Sequence, residues 1–217
     1  YNKSNVLYGI NQNAENIRTS KRVVLVEGYM DLLQLTQAGI NDSLAISGTA
    51  FTDGHANILM RYTKNIFITF DGDDAGKKAA IKCGYMLTNN SIEPRIITPP
   101  NGMDPDDWIR KNGRDEFEKS MEEANDIIKT HYNYFSENAY EGALSINEFI
   151  QECLNELVNV KDPIMQEIMT KRLSEITSID QKNIIHVLNE KNQKRNRFKI
   201  FCSNHYVKKV ILTRFKS

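Results

Sequence analysis

The 217-residue chain is poor in several residue types, and each absence excludes a class of protein. Its three cysteines, at positions 83, 153 and 202, form no pair with metal-binding or redox spacing, and its four histidines are scattered. The sequence therefore predicts no zinc site and no disulfide framework, and it fits a reducing cytoplasm. No run approaches the roughly 20 consecutive apolar residues of a membrane span, and no signal peptide is evident at Tyr1.

A net charge is also lacking, but the charges are unevenly spread. Eight of the 28 basic residues and none of the 28 acidic residues lie from Lys194 onward, which leaves 20 basic against 28 acidic residues, a net charge of −8, in residues 1–193. Proteins that hold nucleic acid normally show a basic footprint. The acidic body predicts that a surface for nucleic acid, if there is one, lies elsewhere. The basic tail at 194–217 is more typical of a solvated, poorly ordered end than of a nucleic-acid or membrane contact.

Three apolar runs in the first half of the chain lead into acidic residues. They read VVLVEGYMD at 23–31, IFITFDGDDAG at 66–76 and RIIT at 95–98, the last followed by NGMDPDD at 101–107. Short β-branched runs between helical patterns indicate buried parallel strands, and ligands of α/β sheets bind beyond the carboxyl ends of such strands. Glu27, Asp71 and Asp73 are therefore expected to meet at one edge of one sheet.

Electrostatics explains what such a cluster needs. Two carboxylates about 5 Å apart repel by about 3 kcal/mol at an effective dielectric constant near 20, so several at one spot take up protons or bind a cation. Oxygen ligands without nearby cysteine or histidine favour a hard ion, Mg²⁺ or Mn²⁺, over Zn²⁺. Each acid taken alone could be a solvated loop or cap residue, but three clusters together favour a metal site.

The alternation of apolar runs and helical patterns predicts an α/β fold whose parallel sheet is covered by helices on both faces. The expected strands are 23–26, 43–46, 66–70 and 95–98. The expected helices are 29–38, a segment capped by Thr52 and ending near 62, 74–88, and one that opens at Pro105.

From about residue 114 the strand signals stop and helical signals continue. The helix-start signals are Ser145 with Glu148, Asp162 with Pro163, and Ser178 with Gln181. Together with a helical segment at 126–140, they predict a small all-α bundle of about four antiparallel helices that follows the sheet.

At EGYMD, SGTAFT, DGDDAG and DPDD the sequence resembles the bacterial DnaG-type primases. The resemblance covers the Toprim domain, the metal-binding module that primases share with topoisomerases, from VLYG at 6–9 to RKNG at 110–113. EGYMD together with DGDDAG favours a primase over topoisomerases, whose acidic motifs have different neighbours. The resemblance implies a lead-in at 1–20, a Toprim catalytic domain at 21–113, a helical subdomain at 114–193 and the basic tail at 194–217.

The resemblance implies synthesis of short RNA primers on single-stranded DNA from nucleoside triphosphates, by metal-dependent nucleotidyl transfer in bacterial DNA replication. It implies that Glu27, Asp71 and Asp73 are catalytic and bind metal, and that Asp104 and Asp106 bind metal. Glu27 is either a metal ligand or the group that transfers a proton. A cytoplasmic, nucleoid-associated protein is implied, with a replicative helicase as a partner of the full-length form.

Small and basic residues near the acids have two interpretations each. Gly28, Gly72 and Gly76 allow backbone close to phosphate, or they are turn and packing residues. The SGT segment at 47–49 donates hydrogen bonds to phosphate, or it caps the next helix. The lysine pair at 77–78 binds triphosphate or forms a solvated helix face, and the second interpretation is favoured.

Parts of the family layout have no counterpart in the sequence. No Cys/His set for a zinc-binding domain, no basic subdomain ahead of Toprim and no helicase-binding domain are evident, so the chain is expected to be a fragment that is inactive alone. Two other functions stay open. One is another Toprim enzyme, such as a topoisomerase or nuclease piece, and the other is a catalytically silent interaction module built on the helical bundle.

Overall fold

A computed structural model describes residues 6–48, 50–138 and 142–214. The chain forms two compact units, residues 1–145 and 146–217. None of the helices in the described ranges combines the length and the apolar character needed to cross a membrane.

The first unit is an α/β fold with one sheet. Its strands are β1 Val23–Val26, β2 Ser43–Ala45, β3 Ile66–Ile68, β4 Arg95–Ile96 and β5 Asn125–Asp126. Its helices are α1 Ile10–Ser20, α2 Tyr29–Gln37, α3 Asp53–Leu59, α4 Asp74–Asn89, α5 Pro105–Glu122 and α6 Ile127–Asn138. The predicted fold class, a sheet dominated by parallel strands and flanked by helices, is confirmed.

The strand order is β2-β1-β3-β4-β5, and every neighbouring pair is parallel except β4 with β5. All residues of β1, β2 and β3 are buried, and β1 and β3 are accordingly continuous apolar runs without polar alternation. The chain leaves β1 for β2 on one side and later returns to β3 on the other. The carboxyl ends of β1 and β3 therefore border the crevice where ligands of open α/β sheets bind.

Three strands end earlier than predicted, and one of them is β2, which ends at Ala45 and not at residue 46. β3 and β4 end two residues early, although the amides of Thr69 and Ile97 still donate to the carbonyls of Leu25 and Ile68 at 2.9 Å. The antiparallel edge strand β5 was not predicted, because two polar residues carry no strand pattern.

One face of the sheet packs against α2 and α5. Trp108 and Phe117 lie on either side of Gly113, which breaks α5 with φ 79° and ψ 179°, and their rings are 5.3 Å apart. Glycine adopts this conformation without steric cost, so both segments of α5 reach the same core. That core consists of Val24, Val26, Leu32, Leu35, Ile40, Ala45, Phe67, Ile97, Trp108, Ile109, Phe117 and Met121.

On the other face, α4 packs closely against α6. A side chain at Gly84 would meet Ile127 at 2.6 Å, so glycine is needed for this approach. Behind it, the hydroxyl of Tyr85 hydrogen bonds to Nδ1 of His131 at 2.8 Å, and both side chains are buried. The helix after DGDD is thereby held in place by α6.

The second unit consists of helices in the part that the structure describes. They are α7 Ala143–Leu157, α8 Pro163–Thr177 and α9 Gln181–Arg214. Apolar side chains buried in this unit include Phe149, Cys153, Leu154, Leu157, Met169, Leu173, Ile184 and Leu188.

Two of the three predicted helix starts in this region are wrong. Asp162 does cap α8, accepting hydrogen bonds from the amides of Ile164 and Met165 at 2.9 and 3.4 Å. Ser145 instead lies inside α7, which begins two residues earlier. At α9 the capping group is Asp180, which accepts from the amide of Lys182 at 2.8 Å, whereas Ser178 is the left-handed residue that ends α8.

The division into units falls later in the chain than the sequence-based boundary at 113/114. The segment expected to join the helical bundle, 126–140, supplies β5 and α6 to the α/β unit, because β5 pairs with β4 and α6 packs on α4. The basic tail begins within α9, which continues helically through Arg214 and is not an unstructured end. There the Arg195 guanidinium donates to the carbonyl of Val158 at 2.7 Å.

Candidate active site

Three chain segments meet beyond the carboxyl ends of the parallel strands. Glu27 directly follows β1, Ser47 lies two residues after β2 and Asp71 three residues after β3. The amide of Ser47 donates to the carbonyl of Glu27 at 2.9 Å, which fixes the ends of β1 and β2 to each other. Ser47 and Gly48 both have positive φ, 60° and 70°, so the chain turns sharply here.

The turn after β3 is held against the turn that carries the third acidic motif. The amide of Gly72 donates to the carbonyl of Met103 at 2.8 Å. A Cβ at Gly72 would lie 2.8 Å from the carbonyl oxygen of Pro99 and 2.9 Å from that of Met103, so only glycine fits. Asp71 and Asp104 are brought together by this contact.

These segments enclose one pocket of about 690 Å³, which is within the usual size range of ligand sites. Its walls contain Val6, Tyr8, Glu27, Gly28, Tyr29, Asp31, Ile46, Ser47, Gly48, Asp71 and Asp104. Four carboxylates therefore face a single space, together with two aromatic rings.

The carboxylates in the pocket oppose one another electrostatically. Burial, and then the charges of Asp104 and Asp73, raise the pKa of Asp71. Burial, and then Asp71 and Asp73, raise the pKa of Glu27. Because each charge makes its neighbours harder to ionise, a cation in the pocket would be stabilised by all of them.

Asp31 is the most buried of these acids, with 7% of its surface exposed. Burial is the main reason why its pKa rises to about 6, and Asp71 and Asp104 add to the shift. The amide of Gly28 donates to its Oδ2 at 3.0 Å, and this bond and the amide of Asp106 lower the pKa in part. Asp31, the last residue of EGYMD, thus accepts hydrogen bonds from the backbone next to Glu27 and from the backbone of DPDD.

Asp73 and Asp104 both cap helices. Oδ1 of Asp73 accepts from the amide of Gly76 at 2.7 Å at the start of α4, and Oδ1 of Asp104 accepts from the amide of Asp107 at 2.6 Å at the start of α5. Asp73 is exposed and does not line the pocket, although its charge acts on Glu27 and Asp71.

Asp106 points differently from the other predicted metal ligands. It forms an ion pair with Arg110, one turn later on α5, at 2.6 Å, and it does not line the pocket. Its Oδ1 is buried and has no hydrogen-bond partner among the described residues. Of the five predicted site residues, the pocket therefore gathers Glu27, Asp71 and Asp104.

The small and basic residues around the acids contact the chain itself. A Cβ at Gly76 would collide with the carbonyl oxygen of Asp71, so this glycine lets α4 start directly against the strand end. Lys77 pairs with Glu137 at 2.6 Å and Lys78 with Asp74 at 2.8 Å. Helix α3 is capped by Thr52, so Ser47 does not cap it, and Thr49 lies outside the described residues.

The donor set suits a divalent metal ion that is shared with a substrate. Within the residues that the structure describes, no three His, Cys, Asp or Glu side chains are grouped closely enough to hold an ion by themselves. Mg²⁺ usually keeps several waters and binds through one or two carboxylates plus substrate phosphates. Asp71 with Asp104, both on the pocket wall, fit that arrangement.

Sequence reasoning missed the pocket roles of Tyr8 and Tyr29, and it identified Asp31 only as the acid that closes the EGYMD motif. Asp31 reads as an ordinary first-turn acid of α2, and its burial follows only from the approach of α5. Tyr8 lies in VLYG, far from the acids in sequence, and is brought in by hydrogen bonds with Ala45. No sequence signal could have indicated that approach.

Known proteins are similar to this chain in sequence and in fold. A sequence profile described as Toprim-like matches residues 24–109. The DNA primase of Clostridium acetobutylicum is 32% identical over 195 residues, 89% of this chain and 32% of that protein. A DNA primase domain from Pseudomonas aeruginosa superposes with a TM-score of 0.75 and 29% identity, over 87% of this chain and 60% of that chain. A DnaG primase catalytic domain bound to single-stranded DNA gives a TM-score of 0.69 and 28% identity, over 81% of this chain and 58% of that chain.

The Toprim-like match at 24–109 contains all five predicted site residues, Glu27, Asp71, Asp73, Asp104 and Asp106. The chain spans 32% of the length of the Clostridium primase, so the likeness concerns a part of that protein. By sequence and by fold, this chain belongs to the bacterial DnaG-type primases and corresponds to the Toprim-containing part of their catalytic core.

Proposed function

We propose that this chain provides the metal-dependent nucleotidyl-transfer centre of a primase that makes short RNA primers on single-stranded DNA. The observation that carries the proposal is the meeting of Glu27, Asp71 and Asp104 in one pocket of about 690 Å³, in a chain of the primase family. The reaction joins a primer 3′-hydroxyl to the α-phosphate of a nucleoside triphosphate and releases pyrophosphate.

Mg²⁺ or Mn²⁺ is the proposed cofactor, and we propose no zinc site. Asp71 and Asp104 would hold the ion, with Asp73 and Asp106 nearby at the starts of α4 and α5. The bound ion would stabilise the charge that develops on the triphosphate.

Glu27 is the proposed group that accepts the proton of the attacking 3′-hydroxyl. Burial and the charges of Asp71 and Asp73 raise its pKa, which makes it a better base than an ordinary glutamate near neutral pH. Direct binding of the metal ion is the second role open to it.

The proposed partners are a single-stranded DNA template, nucleoside triphosphates and, in the longer protein, the replicative helicase. One related catalytic domain was solved bound to single-stranded DNA, which supports a template partner. Residues 1–193 carry a net charge of −8, so other parts of a primase would provide most of the binding to the template. Replication takes place in the bacterial cytoplasm at the nucleoid, which is the proposed location.

The first test is metal-dependent binding of a triphosphate, measured by calorimetric titration. We expect Mg²⁺ with a nucleoside triphosphate to bind the wild-type chain and Asp71→Ala to weaken that binding by about 100-fold or more. The matched control is Asp115→Ala, an exposed acid on α5 outside the pocket. Equal affinity in the wild type and Asp71→Ala would contradict the metal site.

The second test is primer synthesis from labelled nucleotides on a single-stranded template. We expect little product from the 217-residue chain, and synthesis from a longer polypeptide that carries a basic template-binding region ahead of it. In that longer polypeptide, Asp71→Ala should abolish synthesis and Asp115→Ala should not. Relaxation of supercoiled DNA without primer synthesis would instead identify a topoisomerase-like Toprim enzyme.

A further inference from the structure

Two aromatic side chains form one wall of the carboxylate pocket. The rings of Tyr8 and Tyr29 meet edge to face, with centroids 6.3 Å apart and an angle of 60° between their planes. They remain 47% and 54% exposed, although the large aromatic residues Tyr85, Phe117 and Phe149 are fully buried. An exposed aromatic pair beside a pocket of this size calls for a ligand explanation.

The backbone fixes both rings at the pocket. Tyr8 forms a two-way bridge with Ala45 of β2, its amide donating at 2.8 Å and its carbonyl accepting at 3.1 Å. Tyr29 is the first residue of α2, two residues after Glu27, so their α-carbons are at most about 7 Å apart. The backbone thus places both tyrosines in the same pocket as the acids, which is the condition for binding two ends of one ligand.

The pocket offers two different chemistries side by side. Glu27, Asp71 and Asp104 are acidic and accept a metal ion, through which they would bind phosphate oxygens. Val6, Tyr8, Tyr29 and Ile46 add aromatic and aliphatic surface. A ligand that matches both parts has a polyphosphate at one end and a flat, uncharged ring at the other.

We propose that Tyr8 and Tyr29 bind the base of the nucleoside triphosphate whose phosphates meet the metal ion at Asp71 and Asp104. This inference rests on the proposed function and identifies a subsite for it. A ring face stacks on any of the four bases, so the pair would hold each nucleotide without selecting one, and selection would be left to the template. Loss of a stacking ring is expected to lower affinity by about 10- to 100-fold.

The test compares ligands with and without a base. The full chain is titrated with Mg²⁺ and either adenosine triphosphate or inorganic tripolyphosphate, in the wild type, Tyr8→Ala, Tyr29→Ala and Tyr29→Phe. The matched control is Leu33→Ala, because Leu33 lies on the same helix with 46% exposure and outside the pocket. Thermal unfolding checks that each variant is folded.

We expect both alanine variants to bind adenosine triphosphate about 10-fold or more weakly and tripolyphosphate as well as the wild type does. Tyr29→Phe and Leu33→Ala should bind both ligands like the wild type. Unchanged nucleotide affinity in the alanine variants would overturn the base subsite, as would equal losses for both ligands, which would indicate a structural role. Failure of the wild type to bind tripolyphosphate would overturn the metal and phosphate site itself.

A further arm distinguishes a free nucleotide from a strand. Short single-stranded DNA without a terminal triphosphate is titrated against the same variants. Tyrosine-dependent binding of the strand, with nucleotide binding unaffected by Tyr8→Ala and Tyr29→Ala, would overturn the proposal in favour of a template contact.

Discussion

In the helical unit, Asp162 and Asp180 accept hydrogen bonds from the first amides of α8 and α9, as aspartates do at ordinary helix starts. In the α/β unit, Asp73 and Asp104 make the same bonds at α4 and α5, but their charges also raise the pKa of Asp71. Identical local chemistry therefore has two uses. In the helical unit the aspartate only caps a helix. In the α/β unit it also places a negative charge near other carboxylates, which does not stabilise the fold.

This difference indicates that the functional site lies in the α/β unit. Carboxylates that repel one another within a pocket lower the stability of the protein until a cation or protons arrive, so their convergence needs a reason other than folding. The helical unit shows buried apolar side chains and satisfied caps, which are sufficient to explain it as a folded structure. We therefore expect mutations in the two units to separate stability from metal binding.

The largest expected effect concerns the cores of the two units. Leu173 in α8 and Leu25 in β1 are both fully buried, so Leu173→Ala and Leu25→Ala should each lower the free energy of unfolding by about 2–5 kcal/mol. Because each unit has its own buried side chains, hydrogen exchange should accelerate mainly within 146–197 for the first variant and within 6–138 for the second. Uniform acceleration along the chain would show that the units unfold as one.

A second effect tests charges that stabilise the α/β unit. The Arg22 guanidinium binds Asp42 at 2.7 Å and both oxygens of Glu118 at 2.8 and 2.9 Å, which raises the pKa of the arginine and lowers that of Glu118. Arg22→Ala leaves the buried Asp42 without this partner and should cost about 2–3 kcal/mol in urea unfolding.

The control for that network is a pair on the surface of the same unit. Arg18 and Glu15 lie 3.5 Å apart with side chains 58% and 83% exposed, so Arg18→Ala should change stability by less than about 0.5 kcal/mol. Equal losses for Arg22→Ala and Arg18→Ala would mean that burial of the network adds nothing.

The third effect is a dependence of stability on pH that arises in the pocket. The pKa of Asp31 is raised from 3.8 to about 6, so the folded chain binds this proton more tightly than the unfolded chain does. Its contribution to stability is fully present below pH 3.8 and is lost as the pH rises through about 6. The raised pKa values of Glu27 and Asp71 act in the same direction.

Without metal, the wild type should therefore be less stable at pH 7.5 than at pH 5.5, by about 0.8 kcal/mol from Asp31. The lowered pKa of Glu118 acts oppositely but only at more acidic pH. Asp31→Asn, whose amide oxygen can still accept from Gly28, should flatten this slope and raise stability at pH 7.5. Thermal melts at the two pH values decide, with the exposed Asp115→Asn as the control that keeps the wild-type slope.

Much of the α/β unit could be predicted from the sequence because buried parallel strands leave a strong signal. β1 was predicted to the residue, and Thr52, Pro105 and Asp162 mark helix starts as expected. The strand β5 and the membership of α6 were missed, since both depend on which element packs against β4 and not on local pattern. The same limit applies at Ser178, where a left-handed turn ends one helix before Asp180 begins the next.

The candidate site could be predicted from the sequence in part. Three strand-end motifs indicated that acids converge, and the pocket does gather Glu27, Asp71 and Asp104. The sequence could not show that the side chain of Asp106 forms an ion pair with Arg110. Arg110 lies one helical turn after Asp106, but only the side-chain conformation decides whether the carboxylate contacts the arginine or the pocket. The catalytic and metal-binding roles of all five acids stay predictions until the titrations above are made.

The smallest expected effect compares two helix caps, one in each unit. Asp73 at α4 accepts from Gly76 at 2.7 Å, and Asp162 at α8 accepts from Ile164 at 2.9 Å. Asparagine caps a helix nearly as well as aspartate, whereas alanine loses the cap, so Asp73→Ala and Asp162→Ala should each cost about 1 kcal/mol.

The asparagine variants separate capping from repulsion. Asp162→Asn removes a favourable negative charge from the start of α8 and should cost about 0.3–1 kcal/mol. At Asp73 the same loss is offset because the charge that acts on Glu27 and Asp71 also disappears, so Asp73→Asn should leave stability unchanged or higher without metal. Adding Mg²⁺ should stabilise the wild type more than Asp73→Asn and should not distinguish Asp162→Asn from the wild type. Equal effects of Asp73→Asn and Asp162→Asn in metal-free melts would show that Asp73 only caps α4. The charge of Asp73 would then not contribute to the repulsion among the acids that line the pocket.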